Sequence, residues 1–124
     1  MRVNRVRVLV VEDERQLADS IAEGLRLHAM AVDVAYDGEA GLERASVNDY
    51  DVLVLDRDIP RLSGDAVCAA LVQSQSQTRI LMLTAKGRDT EVAKGLALGA
   101  DAYMTKPFST KELVERVRSM LAAG

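Results

Sequence analysis

An α/β fold, with five parallel strands in one sheet and helices on both of its faces, is what this sequence predicts. Three observations carry the prediction. Val8-Leu9-Val10-Val11, Val52-Leu53-Val54-Leu55 and Ile80-Leu81-Met82-Leu83 are continuous apolar runs, the pattern of strands buried on both faces. Longer amphipathic stretches separate these runs, so the order is strand then helix, five times over. Polar residues able to do chemistry stand at the carboxyl ends of four of the five strands, where open parallel sheets bind ligands.

The elements follow in order. After Val8 to Val11, Leu17, Ile21 and Leu25 recur every fourth residue as one helix face, with Asp13 placed to cap its start. Ala31 to Ala35 is a weaker second strand, and Gly38 to Val47 a second helix. The third strand, Val52 to Leu55, is followed by a helix over Gly64 to Gln73 and a polar turn, Gln73 to Thr78. Ile80 to Leu83 is the fourth strand, Asp89 to Leu98 a helix, and Asp101 to Met104 a weaker fifth strand. In the last helix Leu113, Val117, Met120 and Leu121 share a face, and Ser109 and Glu112 have capping-box spacing. Right-handed crossovers would join the strands. With 124 residues, no linker and no internal repeat, residues 1–124 read as a single domain.

Composition excludes several classes. Apolar residues make up 48% and charged residues 28%, mixed throughout, as in a folded globular domain. The net charge of −3 comes without a basic stripe or aromatic-rich basic patch, so direct nucleic-acid binding is not expected. No apolar run approaches a membrane span, and the basic start from Met1 to Arg7 runs into apolar residues that stop at Glu12, unlike a secretory signal. The single cysteine, Cys68, cannot form an internal disulfide. A cytoplasmic protein is expected.

The strand ends carry the chemistry. The first ends in Glu12-Asp13, the third in Asp56, the fourth in Thr84, and the fifth in Thr105-Lys106-Pro107. A strand order of 2-1-3-4-5 would make the first and third strands neighbours at the switch point. Three carboxylates, a hydroxyl and an ammonium would then share one pocket. Crowded carboxylates repel, and a hard divalent cation relieves them; all-oxygen ligation favours Mg2+ or Mn2+ over zinc. Asp56 could then act as a nucleophile towards phosphorus, with Lys106 neutralising phosphoryl oxygens and Thr84 donating to one.

At these residues the chain resembles the receiver domain of bacterial two-component response regulators, from Val6 to Leu121. The motifs are Val-Val-Glu12-Asp13, Leu55-Asp56 with Pro60 and Gly64 following, Leu83-Thr84-Ala85, and Gly99-Ala100-Asp101-Ala102-Tyr103 leading to Lys106-Pro107-Phe108. The resemblance implies a flavodoxin-like (βα)5 three-layer sandwich with strand order 2-1-3-4-5. It implies that Asp56 accepts a phosphoryl group from a sensor histidine kinase. Glu12, Asp13, Asp56 and the main-chain carbonyl of Asp58 would hold the metal, and the bond before Pro107 would be cis. It also implies a switch: Thr84 moves toward the phosphoryl group, Tyr103 rotates inward, and the face formed by Asp89 to Leu98, the fifth strand and the last helix changes shape to control an output domain or partner. Such a domain catalyses its own phosphorylation and slow hydrolysis.

Asp58, Lys86 and Ala85 flank the site, and an Asp58–Lys86 ion pair across the mouth of the pocket is expected to gate access. Lys94, Asp101, Glu112 and Arg116 resemble the charged dimerisation face of the OmpR/PhoB-type subfamily, in which Lys94 would meet Glu112 across a two-fold axis. Ala102 stands where that subfamily usually has a second aspartate, which would deprive Arg116 of a partner. In that subfamily a winged-helix DNA-binding domain would follow Gly124. Two other readings are weaker. A pseudo-receiver that never takes phosphate conflicts with the intact set Glu12, Asp13, Asp56, Thr84 and Lys106. A flavodoxin-like cofactor binder would need a Gly-, Ser- or Thr-rich turn where this chain is acidic. Cys68, His28, Met82, Met104 and Met120 read as core or helix-end residues without chemistry.

Overall fold

All five residues of β3 (Val52–Asp56) are buried, and so are four of the five in β1 (Arg7–Val11). That is the physical reason these runs show no polar alternation: each strand has a core on either side. Along β1, Val8 and Val10 face one core and Leu9 and Val11 the other, and β3 divides likewise, with Val52 and Val54 against Leu53 and Leu55. A fully buried side chain of this size contributes about 1.5–3 kcal/mol.

The computed structural model describes residues 5–85 and 98–122. The remaining elements are α1 (Arg15–Arg26), β2 (Ala31–Ala35), α2 (Gly38–Val47), α3 (Gly64–Gln73), β4 (Arg79–Thr84), β5 (Ala102–Thr105) and a last helix, α4 (Thr110–Ala122). The five strands form one sheet in the order β2-β1-β3-β4-β5, and every pairing is parallel. The expected order 2-1-3-4-5 is therefore borne out. Ala18, Ile21 and Leu25 of α1 join Leu113, Val117 and Met120 of α4 in one core. Val67, Cys68 and Leu71 of α3 and Ala45 of α2 fill the other. The helix expected over Asp89 to Leu98 lies, but for its last residue, outside the described residues.

Two local expectations need correction. Asp13 does not cap α1. The N-cap residue is Glu14, whose side chain makes no capping bond, and its amide donates to Glu12 Oε2 at 3.1 Å. Asp13 lies one residue too early, and its carboxylate belongs to a cluster with those of Glu12 and Asp56. The fifth strand begins at Ala102, not at Asp101, because Asp101 is held at the start of β4. Its amide donates to Ile80 O at 2.9 Å, and its Oδ2 accepts from the Ile80 amide at 2.7 Å. The cap of α4 is as expected on one side only: Ser109 Oγ accepts the Glu112 amide at 3.0 Å, while its hydroxyl donates to Glu112 Oε1 at 3.2 Å.

Candidate functional site

The strand order reverses between β1 and β3, whose following helices, α1 and α3, lie on opposite faces. Glu12 stands just beyond the end of β1, and Asp56 is the last residue of β3. Register places Val11 beside Leu55, Asp56 beside Leu83 and Thr84 beside Thr105, so all these ends finish at one level. Lys106 continues from β5, its amide donating to Thr84 O at 2.8 Å. The Lys106–Pro107 bond is cis.

Glu12 and Asp56 are 1% and 4% exposed, whereas Asp13 is open to solvent. One carboxylate oxygen from each of the three lies within 4.8 Å of the others. Lys106 Nζ donates to Glu12 Oε1 at 2.9 Å and to Asp56 Oδ2 at 3.1 Å, so a single ammonium serves two buried acids. Asp56 Oδ1 accepts the Asp58 amide at 3.1 Å. Burial, helped by its hydrogen bond to Asp56, pushes the Glu12 carboxyl up to about 7, although Lys106 and the Glu14 amide pull the other way. For Lys106 burial favours the neutral amine, but the adjoining Glu12 and Asp56 outweigh it and raise its pKa. The site is under-supplied with positive charge, the condition that a hard cation relieves.

Thr84 is 1% exposed, and its Oγ1 has no hydrogen-bond partner among the described residues. A buried hydroxyl left unmatched is costly and calls for an explanation. An oxyanion-bearing ligand at the carboxylates would supply one. Three carboxylates, an ammonium and an unmatched hydroxyl thus suit a divalent cation together with a phosphoryl group.

The remaining expected residues are placed as follows. Asp58 is exposed and Ala85 half-buried. Tyr103 is 40% exposed. Asp101, Glu112 and Arg116 are exposed, the first two carboxylates being engaged at Ile80 and Ser109. Lys86 and Lys94 lie outside the described residues, and with them the expected Asp58–Lys86 pair and Lys94–Glu112 contact. Cys68 is fully buried, and burial raises its thiol pKa. His28 Nδ1 lies 3.2 Å from Gly24 O at the end of α1. Sequence reasoning missed Arg57, which is buried directly after Asp56 and paired with Asp65. Its signal was an arginine abutting an apolar strand with an acid eight residues on.

Comparison with known proteins agrees with this geometry. A family model described as the response regulator receiver domain matches residues 8–118. The transcriptional regulatory protein CutR of Streptomyces coelicolor is 58% identical over 115 residues, covering 93% of this chain and 53% of that protein. The chain spans about half the length of the curated relatives it matches. Among solved structures, the receiver domain of the Francisella response regulator 1452 has a TM-score of 0.88 at 33% identity, covering 93% of this chain and 95% of that one. The response regulator DrrB, a Thermotoga maritima OmpR/PhoB homologue, has a TM-score of 0.88 at 30% identity, covering 97% of this chain and 54% of that one.

Proposed function

The chain belongs to the response regulator receiver domain family and is most like its OmpR/PhoB-type members, and on that premise we propose that it is a switch thrown by phosphorylation of Asp56. The observation that carries the proposal is the Lys106 ammonium bridging Glu12 and Asp56 at the switch point of the sheet. A bridged, buried carboxylate with a third acid beside it is a poor structural choice and a good phosphoryl acceptor.

Glu12, Asp13, Asp56 and the carbonyl of Asp58 would hold Mg2+, or Mn2+ in its place. When bound, the cation supplies neutralisation of the carboxylates and of the incoming phosphoryl oxygens. A carboxylate oxygen of Asp56 attacks phosphorus, forming a P–O bond. The P–N bond to the donor histidine of a sensor kinase breaks, and the electron pair stays with the imidazole. Lys106 remains as a point charge on the transferring oxygens, and Thr84 Oγ1 donates to one of them. That new bond draws Thr84 toward the phosphoryl group, and Tyr103 turns inward behind it. The face carrying Asp101, Glu112 and Arg116 then changes shape, favouring a symmetric pair or a contact with an output domain. Hydrolysis of the acyl phosphate resets the switch. Among the described residues no helix is long and apolar enough to cross a membrane. A cytoplasmic kinase partner and output segment fit this reading.

The test is incubation with acetyl phosphate, with and without magnesium, followed by intact mass. The wild type should gain one phosphoryl group only with magnesium, and Asp56→Asn should gain none. Wild type that neither binds magnesium nor gains mass, even with a histidine-kinase donor, would leave a phosphate-independent interaction module.

A further inference from the structure

Among the described residues the buried polar or charged side chains are Glu12, Asp56, Arg57 and Thr84. The mechanism uses three of these and leaves Arg57. Burying a guanidinium is costly unless its charge and donors are met. Asp65, in the first turn of α3, supplies the opposite charge: Nη2 donates to Oδ2 at 3.0 Å, and Nε lies 2.9 Å from Oδ1 as an ion pair. The same residue is tied to α3 through its backbone, its carbonyl accepting the Gly64 amide at 2.9 Å. Arg57 therefore closes the loop 57–63 with main chain and side chain together.

That loop has no slack elsewhere. The Gly38 amide at the start of α2 donates to Pro60 O at 3.1 Å, and a Cβ on Gly38 would lie 1.7 Å from Leu62 O. A Cβ on Gly64 would lie 2.5 Å from Asp56 O and 2.6 Å from Arg57 Cα. The loop in turn carries the amide of Asp58, which donates to Asp56 Oδ1. With Oδ2 on Lys106, this amide sets the rotation of the acceptor carboxylate.

We infer that the Arg57–Asp65 pair is a positioning device for the phosphoryl acceptor: it anchors the loop whose Asp58 amide orients Asp56, and so governs metal affinity and phosphorylation rate. This rests on Asp56 being the acceptor. A lysine would keep the charge but lose the planar fork that fixes the geometry. Groups one shell removed from metal ligands commonly change affinity by about 10- to 100-fold.

The experiment compares wild type with the double variant Arg57→Met/Asp65→Leu and with Arg57→Lys. Replacing both partners by apolar groups removes the two charges of the pair together, so the double variant should fold. Magnesium alone is titrated by calorimetry, acetyl phosphate labelling is timed at saturating magnesium, and melting is followed without metal. The expected result is a magnesium Kd weakened about 10-fold and labelling slowed to a similar degree in the double variant, with its metal-free melting close to wild type. Arg57→Lys should shift both quantities in the same direction by less. Wild-type Kd and labelling rate in the folded variants would overturn the inference, leaving the pair a role in packing only. Wild type that itself neither binds magnesium nor takes phosphate would overturn the site reading, and this inference with it.

Discussion

The two ends of the sheet solve opposite problems. At the amino end no buried side-chain polar atom described is left unmatched. Tyr50 donates to Asp33 Oδ2 at 2.6 Å, Thr78 Oγ1 donates to Tyr50 O at 2.9 Å, Arg7 N donates to Asp51 Oδ2 at 2.8 Å, and Ile80 N finds Asp101. A groove of about 870 Å³ opens there beside Tyr50 and Thr78, with Asp49, Asp51 and Arg79 as its charged lining. At the carboxyl end one lysine serves two buried acids, burial pushes the Glu12 carboxyl up to about 7, and Thr84 keeps an unmatched hydroxyl. The lesson is that polar groups at one end hold the fold together, while at the other they are kept in deficit for a ligand to satisfy. Substitutions should therefore separate stability from function according to the end they strike.

Lys106→Met should have the largest effect, since it strands two buried carboxylates. A loss of about 3 kcal/mol in metal-free urea unfolding is expected, with added magnesium restoring part of it. Asp101→Ala leaves the Ile80 amide without its acceptor at the other end. It should cost about 2 kcal/mol while acetyl phosphate labelling keeps its wild-type rate; slowed labelling would blur the division between the ends. Tyr50→Phe should cost about 1 kcal/mol at neutral pH. Burial, with the Asp33 carboxylate, raises the Tyr50 phenol above its ordinary value of 10.0. Its contribution is therefore complete below pH 10 and fades as pH rises through the folded value, so alkaline unfolding curves should be shallower for the phenylalanine variant.

Two substitutions at the carboxyl end should run the other way. Asp56→Asn removes one of the crowded charges and should stabilise the metal-free protein by about 1 kcal/mol, though it abolishes labelling. Thr84→Val replaces an unmatched buried hydroxyl by a methyl and should leave stability unchanged or raised by up to about 1 kcal/mol. The phosphorylated variant should nevertheless lose the change around Tyr103, read from tyrosine fluorescence. A Thr84→Val protein that is clearly less stable would mean that the hydroxyl is already in use.

Much of this was legible because the residues announce it locally. Continuous runs such as Val52 to Leu55 mark strands with a core on each side, and Glu12, Asp56, Thr84 and Lys106 fall at strand ends whatever the details of packing. What escaped depends on contacts across the chain. Glu14, not Asp13, stands at the N-cap of α1, and the Asp13 carboxylate lies near that of Asp56, more than forty residues away. The start of β5 moved because Asp101 is captured by β4. Arg57 went unremarked in the sequence, and only the folding of loop 57–63 against Gly38 and Gly64 shows that it is enclosed.

The division of successive strand residues between two cores has a consequence for how such a chain can vary. Val54 and Leu55 are adjacent in sequence but pack in different clusters, one with α1 and α4, the other with α2 and α3. The sheet is a partition, and a change of side-chain volume on one side is not answered by neighbours on the other. Substitutions drawn one from each cluster should then add in their effects. Either layer can then be repacked without a compensating change in the other.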